Sequence, residues 1–418
     1  LATSDLNVSL PLVSLPGRNH HDATLSLLYD SHQWELSAVV DPFYGFLGYA
    51  WTNVDGGGWR LNGPRISGMT FHCDPMGDFF DTYVGDFIVT LPGGDKHHFS
   101  NTANHAYHES ACDGQITDRP PGQTFDISAD GSLLEFDTST ADAVLHLRDG
   151  SSIVFHDYLG AANQVDWKDS DGNIITYVYS GANLVSVTDT LGRVINVSST
   201  GITYPDGSGA QRTITFGYSN QTIAPTFSQP SAMNMAYNPG SHVLSILSSV
   251  TLANGRSYGM QYNNFGEVTK ITYPSGGYTR YAYGALQGWY QLSQNSGSGD
   301  VRVVTNSYSC ANTSGSCTAG EERVTTYSAT RQQFDSSNTA ITVTDALGNY
   351  TTYTFSNAGP LPDFSSGAAP IPPRELTRTV YDSSGKMWRS ITTDYNSLSY
   401  WYGTSYYFPI RRTTTLDD

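Results

Sequence analysis

Eight Asp-Gly or Asn-Gly dipeptides punctuate the chain, at Asp55, Asn62, Asp113, Asp130, Asp149, Asp171, Asp206 and Asn254. Such pairs accept the positive φ angles of tight hairpins, so a chain broken this often has little room for long helices. The segments between them are rich in Thr, Tyr, Val and Ile, as in Ile174–Tyr179, Tyr278–Tyr283 and Tyr350–Phe355, and set aromatic rings two residues apart on one strand face. Sustained helical spacing of apolar residues is hard to find, and the helix formers Lys, Glu and Met are scarce. The sequence predicts a nearly all-β chain of roughly 25–35 antiparallel strands joined by hairpins.

A unit repeats along it. Asp171-Gly172-Asn173 leads to Tyr177 and Tyr179, then to Leu184–Val187, then to Asp189 and Gly192-Arg193, regaining the same turn after about twenty residues. It recurs through Gly255–Tyr258, Tyr262–Val268, Ile271–Gly277 and Tyr281–Tyr283, with weaker copies from Asp345–Asn349 and Tyr381–Lys386. Tyrosine suits such a unit because its ring buries apolar area while its hydroxyl still finds a partner at a wet surface. The 28 tyrosines and 41 glycines are thus strand-face rings and turn hinges of one array.

This Gly-Asn/Arg, Tyr-x-Tyr and Thr-Asp spacing resembles the YD-repeat (Rhs) family. Pro11–Gly17 followed by Leu25–Ser31, and Gly58–Asn62 followed by Pro64–Ile66, are similar to the segment that precedes the repeats in bacterial members. The resemblance implies a long sheet coiling into a partial hollow shell, as in secreted bacterial toxins, teneurin-type cell-surface proteins and bacterial surface proteins. It divides the chain into an amino-terminal lead-in (1–125), a repeat array (126–358, with a Ser/Gly-rich insertion at 291–320) and a Pro-rich loop with continuing repeat strands (359–418). Complete members run longer and end in a segment that releases a carboxy-terminal cargo by aspartate proteolysis, and no residue here matches it. The last residues read as a strand entering another turn, so a piece of a longer protein is expected.

Charge narrows the partners. With 21 Lys+Arg against 38 Asp+Glu, the net charge of −17 opposes binding to nucleic acid or an anionic membrane surface. No apolar run is long enough to span a bilayer, and the polar residues after Leu1 read as a processed product. Cys310 and Cys317 enclose a short loop that fits a hairpin disulfide, leaving Cys73 and Cys112 for a second bridge in an oxidising compartment; four free thiols in a reducing cell are the alternative.

Searches for chemistry return little. Eight of the eleven histidines fall in the first 108 residues, including His20-His21, His97-His98, His105 and His108, yet their spacing matches no standard metal motif. Asp169–Asn173 superficially resembles a calcium loop, but aligning Gly172 with the loop glycine puts Trp167 and Val178 at ligand positions, so a turn is expected. Nucleophile elbows, zinc helices and phosphate loops do not occur. No catalytic, cofactor or metal residue is assigned. Trp51, Trp59, Trp289 and Tyr290 are the candidates for stacking on sugar rings, with core packing as the competing explanation. The expectation is a non-catalytic extracellular bacterial scaffold that encloses or displays cargo or mediates adhesion and glycan binding. The alternatives are a secreted carbohydrate-active enzyme with carboxylates in the sheet cavity, and a subunit that self-assembles into a fibre through open strand edges.

Overall fold

One recurring turn explains most of the architecture. The computed structural model describes residues 6–31, 33–40, 47–53, 57–72, 82–99, 107–109, 123–127, 132–137, 142–158, 163–227, 236–237, 240–291, 298–312, 315–318, 320–330, 339–356, 374–399 and 405–417. Among these residues lie 31 strands and one short 3-10 turn, Arg18–His20, with no α-helix. Strands from Gln123–Ile127 to Ser405–Leu416 form a single 21-stranded sheet in which each strand pairs antiparallel with the next. Ala236–Tyr237 alone leaves this order, pairing parallel with Leu47–Asn53. Among the described residues the sheet is not closed into a barrel, since its first and last strands have one neighbour each.

The turn is a five-residue device. In the turns that begin at Leu147, Asp169, Asp189, Asp206, Leu252, Asn263, Tyr273, Asp345 and Asp382, the first amide donates to the fifth carbonyl and the fourth amide donates back to the first, at 2.8–3.1 Å. The fourth residue is always glycine, with φ between +79° and +95°. This is the three-residue hairpin loop in which a type I turn is followed by a left-handed residue. An aspartate in first place completes it. The Oδ1 atoms of Asp169, Asp189, Asp206, Asp345 and Asp382 accept from the third and fifth amides at 2.8–3.0 Å. Oδ2 then takes the fifth side chain: Asn173 at 2.8 Å, Arg193 at 2.6 Å and Asn349 at 3.0 Å. The repeat's Asp-x-x-Gly-Asn/Arg spelling is therefore a list of hydrogen bonds.

The sequence reading placed the left-handed angle differently. Asp149, Asp171 and Asn254 are not left-handed themselves; only the glycine after each one is. Asn62-Gly63 is not a hairpin turn, because Asn62 is buried and its Oδ1 accepts from the Ser26 amide at 2.6 Å. Asp55, Asp113 and Asp130 lie outside the described residues. The Ser/Gly-rich stretch 291–320 is not loop throughout either. Ser298–Cys310 is a strand paired with Tyr278–Gln291, and Val303 and Val304 supply the buried side chains that composition obscures. The Pro-rich 359–373 lies outside the described residues.

Gly192 isolates the backbone contribution to this turn. Nothing lies within 4 Å of a Cβ added there, so Gly192→Ala is expected to cost about 1–2 kcal/mol through left-handed strain alone. Gly207 is equally open and lacks a positive φ, so Gly207→Ala serves as the control and is expected to be within about 0.5 kcal/mol of the parent. Urea unfolding midpoints of the two variants check the difference.

Acid should loosen the same turns. Hydrogen bonds from the side chains of Asn173, Asn349 and Ser384, together with the turn amides, hold Asp169, Asp345 and Asp382 below the ordinary carboxyl value of 3.8. Asp206 is held well below it, chiefly by Ser208. A depressed native value means stabilisation present above the unfolded value and lost as pH falls through the native one. Thermal unfolding should accordingly be little changed from pH 7 to 5 and fall steeply below about pH 4. A melting temperature equal at pH 7 and pH 3 would show that the carboxylates contribute nothing.

Antiparallel order sends successive connections to opposite rims. The turns from Leu147, Asp169, Asp189, Asp206, Leu252, Tyr273, Asp345 and Asp382 all fall on one rim, and the turn from Asn263 falls on the other. Between the rims, alternate residues of each strand point to one buried face: Ala143 and Leu145, Ile153 and Phe155, Ile175 and Tyr177, then Ile195, Ile202, Ile214, Val250 and Ile271. The hairpin Asn7–Leu15 and Ala23–Asp30 lies on this face, with Leu10, Val13, Leu15, Leu25 and Leu27 in the same buried cluster. That face is the inside of the array.

Candidate functional site

The amino-terminal hairpin acts as a strap across the inner face, tied at both rims. At its tip, the Arg18 amide donates to Thr190 Oγ1 at 2.7 Å, Arg193 Nη2 donates to the Pro16 carbonyl at 2.6 Å, and Asn19 bonds Asp171. His21 Nε2 meets the Trp167 carbonyl at 3.0 Å. The other end reaches the turn at Asn263. Gln33 Nε2 donates to the Gly266 carbonyl at 3.0 Å and to the Tyr29 hydroxyl at 2.9 Å, and Trp34 Nε1 donates to the Phe265 carbonyl at 2.7 Å. Tyr29 Oη also accepts the Val268 amide at 2.9 Å, and burial raises its ionisation far above the usual phenol range. It stays a neutral hydroxyl at any physiological pH.

Beneath this knot sits a buried ion pair. Glu267 is 1% exposed, and its two oxygens receive Arg302 Nε at 2.6 Å and Nη2 at 2.8 Å, while Asn263 Nδ2 donates to Oε2 at 2.7 Å. The Arg302 guanidinium lies 3.7 Å from the Phe265 ring centroid. Phe265 joins Phe227, which stacks on Trp51 at 4.1 Å and meets Trp34 edge-on at 5.6 Å. A bidentate guanidinium with its flat face on an aromatic ring is the arrangement that lets a charge be buried without stranding a hydrogen bond.

Beside the strap a cavity of about 1610 Å³ remains. One wall comes from the amino-terminal segments, with Leu28, Trp59, Arg60 and Arg65, and the other from the sheet, with Tyr179, Phe216, Tyr218 and Leu247. It reaches the rim at Gly181-Ala182 and Ser198-Ser199, opposite the aspartate turns. Its charged lining residues are Asp30, Asp95, Arg60 and Arg65, and hydroxyls and amides fill much of the rest. Tyr179 donates to the Pro64 carbonyl at 2.9 Å and carries Arg65 5.3 Å from its ring centroid. Such a surface offers stacking, hydrogen bonds and both signs of charge.

The sugar-stacking candidates separate in space. Trp51 is buried at 4% exposure against Phe227, which leaves its ring no solvent face. Trp59 is half-buried, lines the cavity, packs 4.9 Å from Tyr29 and donates to Tyr262 Oη at 2.8 Å. Trp289 and Tyr290 lie in the strand Tyr278–Gln291, and their side chains lie outside the described residues. Cys310 and Cys317 are bonded, closing the connection between Ser298–Cys310 and Arg323–Thr330; Cys73 and Cys112 lie outside the described residues. Sequence reasoning missed Tyr29, Gln33, Glu267 and Arg302. Glu267 carried a signal, since it is the one carboxylate in fifth place among these nine turns, where Asn173, Arg193, Arg256 and Asn349 stand in other copies.

Among protein-family models, one described as RHS Repeat matches residues 247–278. Those residues cover the strands Ser257–Tyr262 and Val268–Thr272 and the turns beginning at Leu252, Asn263 and Tyr273, and they include the turn that one end of the strap grips. No curated protein matches the chain.

Proposed function

We propose that this chain, whose residues 247–278 match the RHS Repeat family, is a YD-repeat protein that works as a non-catalytic scaffold of the bacterial cell exterior, whose inner face holds cargo or a surface ligand. The observation that carries this reading is the inner face itself, covered in part by the chain's own strap and left open in part as the cavity of about 1610 Å³. What supports adhesion through glycans is the cavity wall, where Trp59 and Tyr218 stand among hydroxyl and amide groups. Export fits the disulfide at Cys310 and Cys317. No helix of the described residues is long and apolar enough to cross a membrane.

The test pairs binding with turnover. The purified protein is applied to a glycan array and incubated with the retained glycans at neutral pH. Retention without sugar release is the expected result. No retention removes glycan binding from the role. Sugar release that disappears in an Asp30→Asn, Asp95→Asn variant overturns the non-catalytic reading, because those two carboxylates line the cavity.

A further inference from the structure

The inner face continues beyond the strap. Pairing carries it from Ile341 to Tyr353, Arg378, Ile391 and Thr414, and in a parallel row from Val343 to Thr351, Val380, Arg389 and Leu416. Residues directly opposite in an antiparallel pair share a face, and Tyr327, opposite Val343, ties these rows to the tyrosines at 273 and 281 of the covered region. The chemistry changes along the way. Where the strap lies the rows are apolar and mostly buried; here Ile341 and Ile391 stay buried, Tyr353 and Val380 are half-buried, and Arg389, Arg412 and Leu416 are exposed.

The charged residues of these two rows, Arg378 and Arg389, are both arginines although the chain carries a net charge of −17. Arg378 lies 5.2 Å from the Tyr353 ring centroid and is the partner of Glu375 at 2.7 Å. Arg389 and Arg412 make no ion pair among the described residues and project on the same face, Arg412 opposite Thr393. A sheet face carrying aromatic rings and unpaired guanidinium groups is complementary to carboxylates spaced along an extended backbone.

Continuity fixes the kind of occupant. The adjoining part of the same face is filled by a β-hairpin of alternating apolar residues, so the uncovered part has the pleat and width that accept another extended polypeptide. We propose that the inner face of the last strands, from Arg323–Thr330 to Ser405–Leu416, docks an acidic extended segment of a separate polypeptide. Its apolar side chains fall on Tyr353, Val380 and Leu416, and its carboxylates meet Arg389 and Arg412. The proposal rests on the scaffold reading and gives its cargo a chemistry.

The test is fluorescence anisotropy with a labelled synthetic peptide alternating Glu with Val and Phe, the Lys counterpart of that peptide, and polygalacturonate as an anionic competitor. Binding of the Glu peptide alone, weakened by salt and reduced at least about tenfold in Arg389→Glu, Arg412→Glu, is expected. Both arginines are exposed, so an unchanged circular-dichroism melt shows that the loss is local. Should the double variant not fold, photo-crosslinking of the peptide to the parent protein locates it, and attachment outside residues 323–416 overturns the proposal. So does failure of the Glu peptide to bind, equal binding by the variant, or polygalacturonate bound where the peptide is not. Sugar release by the protein would instead overturn the scaffold reading, so the two failures are separable.

Discussion

Arg302→Ala should lower the protein's resistance to urea by about 3–5 kcal/mol, the largest loss expected from any exposed or half-buried position. The reason is what it leaves behind. Glu267 would keep Asn263 as a donor but lose both guanidinium bonds, at a site with 1% exposure where water cannot replace them. Phe265 would also lose the cation over its ring, and with it the packing next to Trp34 and Phe227. A double variant, Arg302→Met with Glu267→Met, should recover much of the loss, because removing both charges removes the stranded one. Equal midpoints for Arg302→Ala and the parent would show that the pair is solvated and has no structural part.

Leu25→Ala comes second, with an expected cost of about 2–5 kcal/mol. Leu25 is fully buried, pairs with Val13 across the strap and belongs to the cluster that includes Leu145, Ile153 and Ile195. Truncation opens a cavity between two packed layers, and neither layer can collapse far, since the strap is tied at both rims. A second readout distinguishes loosening of the strap from general loss of stability. Trypsin should cut after Arg18 faster in the variant under native conditions, because the Arg18 amide is held by Thr190 only while the strap stays seated. Unchanged cleavage together with an unchanged midpoint would mean that the strap is not held by its apolar face.

The array was legible because its information is local. Each Asp-x-x-Gly turn closes through bonds spanning at most a few residues, and each Tyr-x-Tyr strand carries its own alternation. The strap was not legible to the same degree. Pro11–Gly17 and Leu25–Ser31 were recognisable as a lead-in, yet nothing in their spelling says that Gln33 will meet Gly266, a partner 233 residues away. Arg302 was hidden for a different reason: it follows a Ser/Gly-rich stretch that reads as loop, and only pairing with Tyr278–Gln291 turns it toward Glu267. The aromatic candidates show the same limit. Whether Trp51 or Trp59 faces a cavity depends on Phe227 and Tyr29, which composition cannot place.

The two tied ends of the strap also set a count. A sheet made of self-contained hairpins can gain or lose one anywhere at small local cost, because no turn depends on its neighbours. Between the turn at Asp169 and the turn at Asn263 that freedom ends, since a hairpin more or fewer would move Gly266 and Phe265 out of reach of Gln33 and Trp34. The strap is thus a gauge block: inside its span the number of strands is fixed by the length of one amino-terminal hairpin, and beyond it the array is free to vary in length.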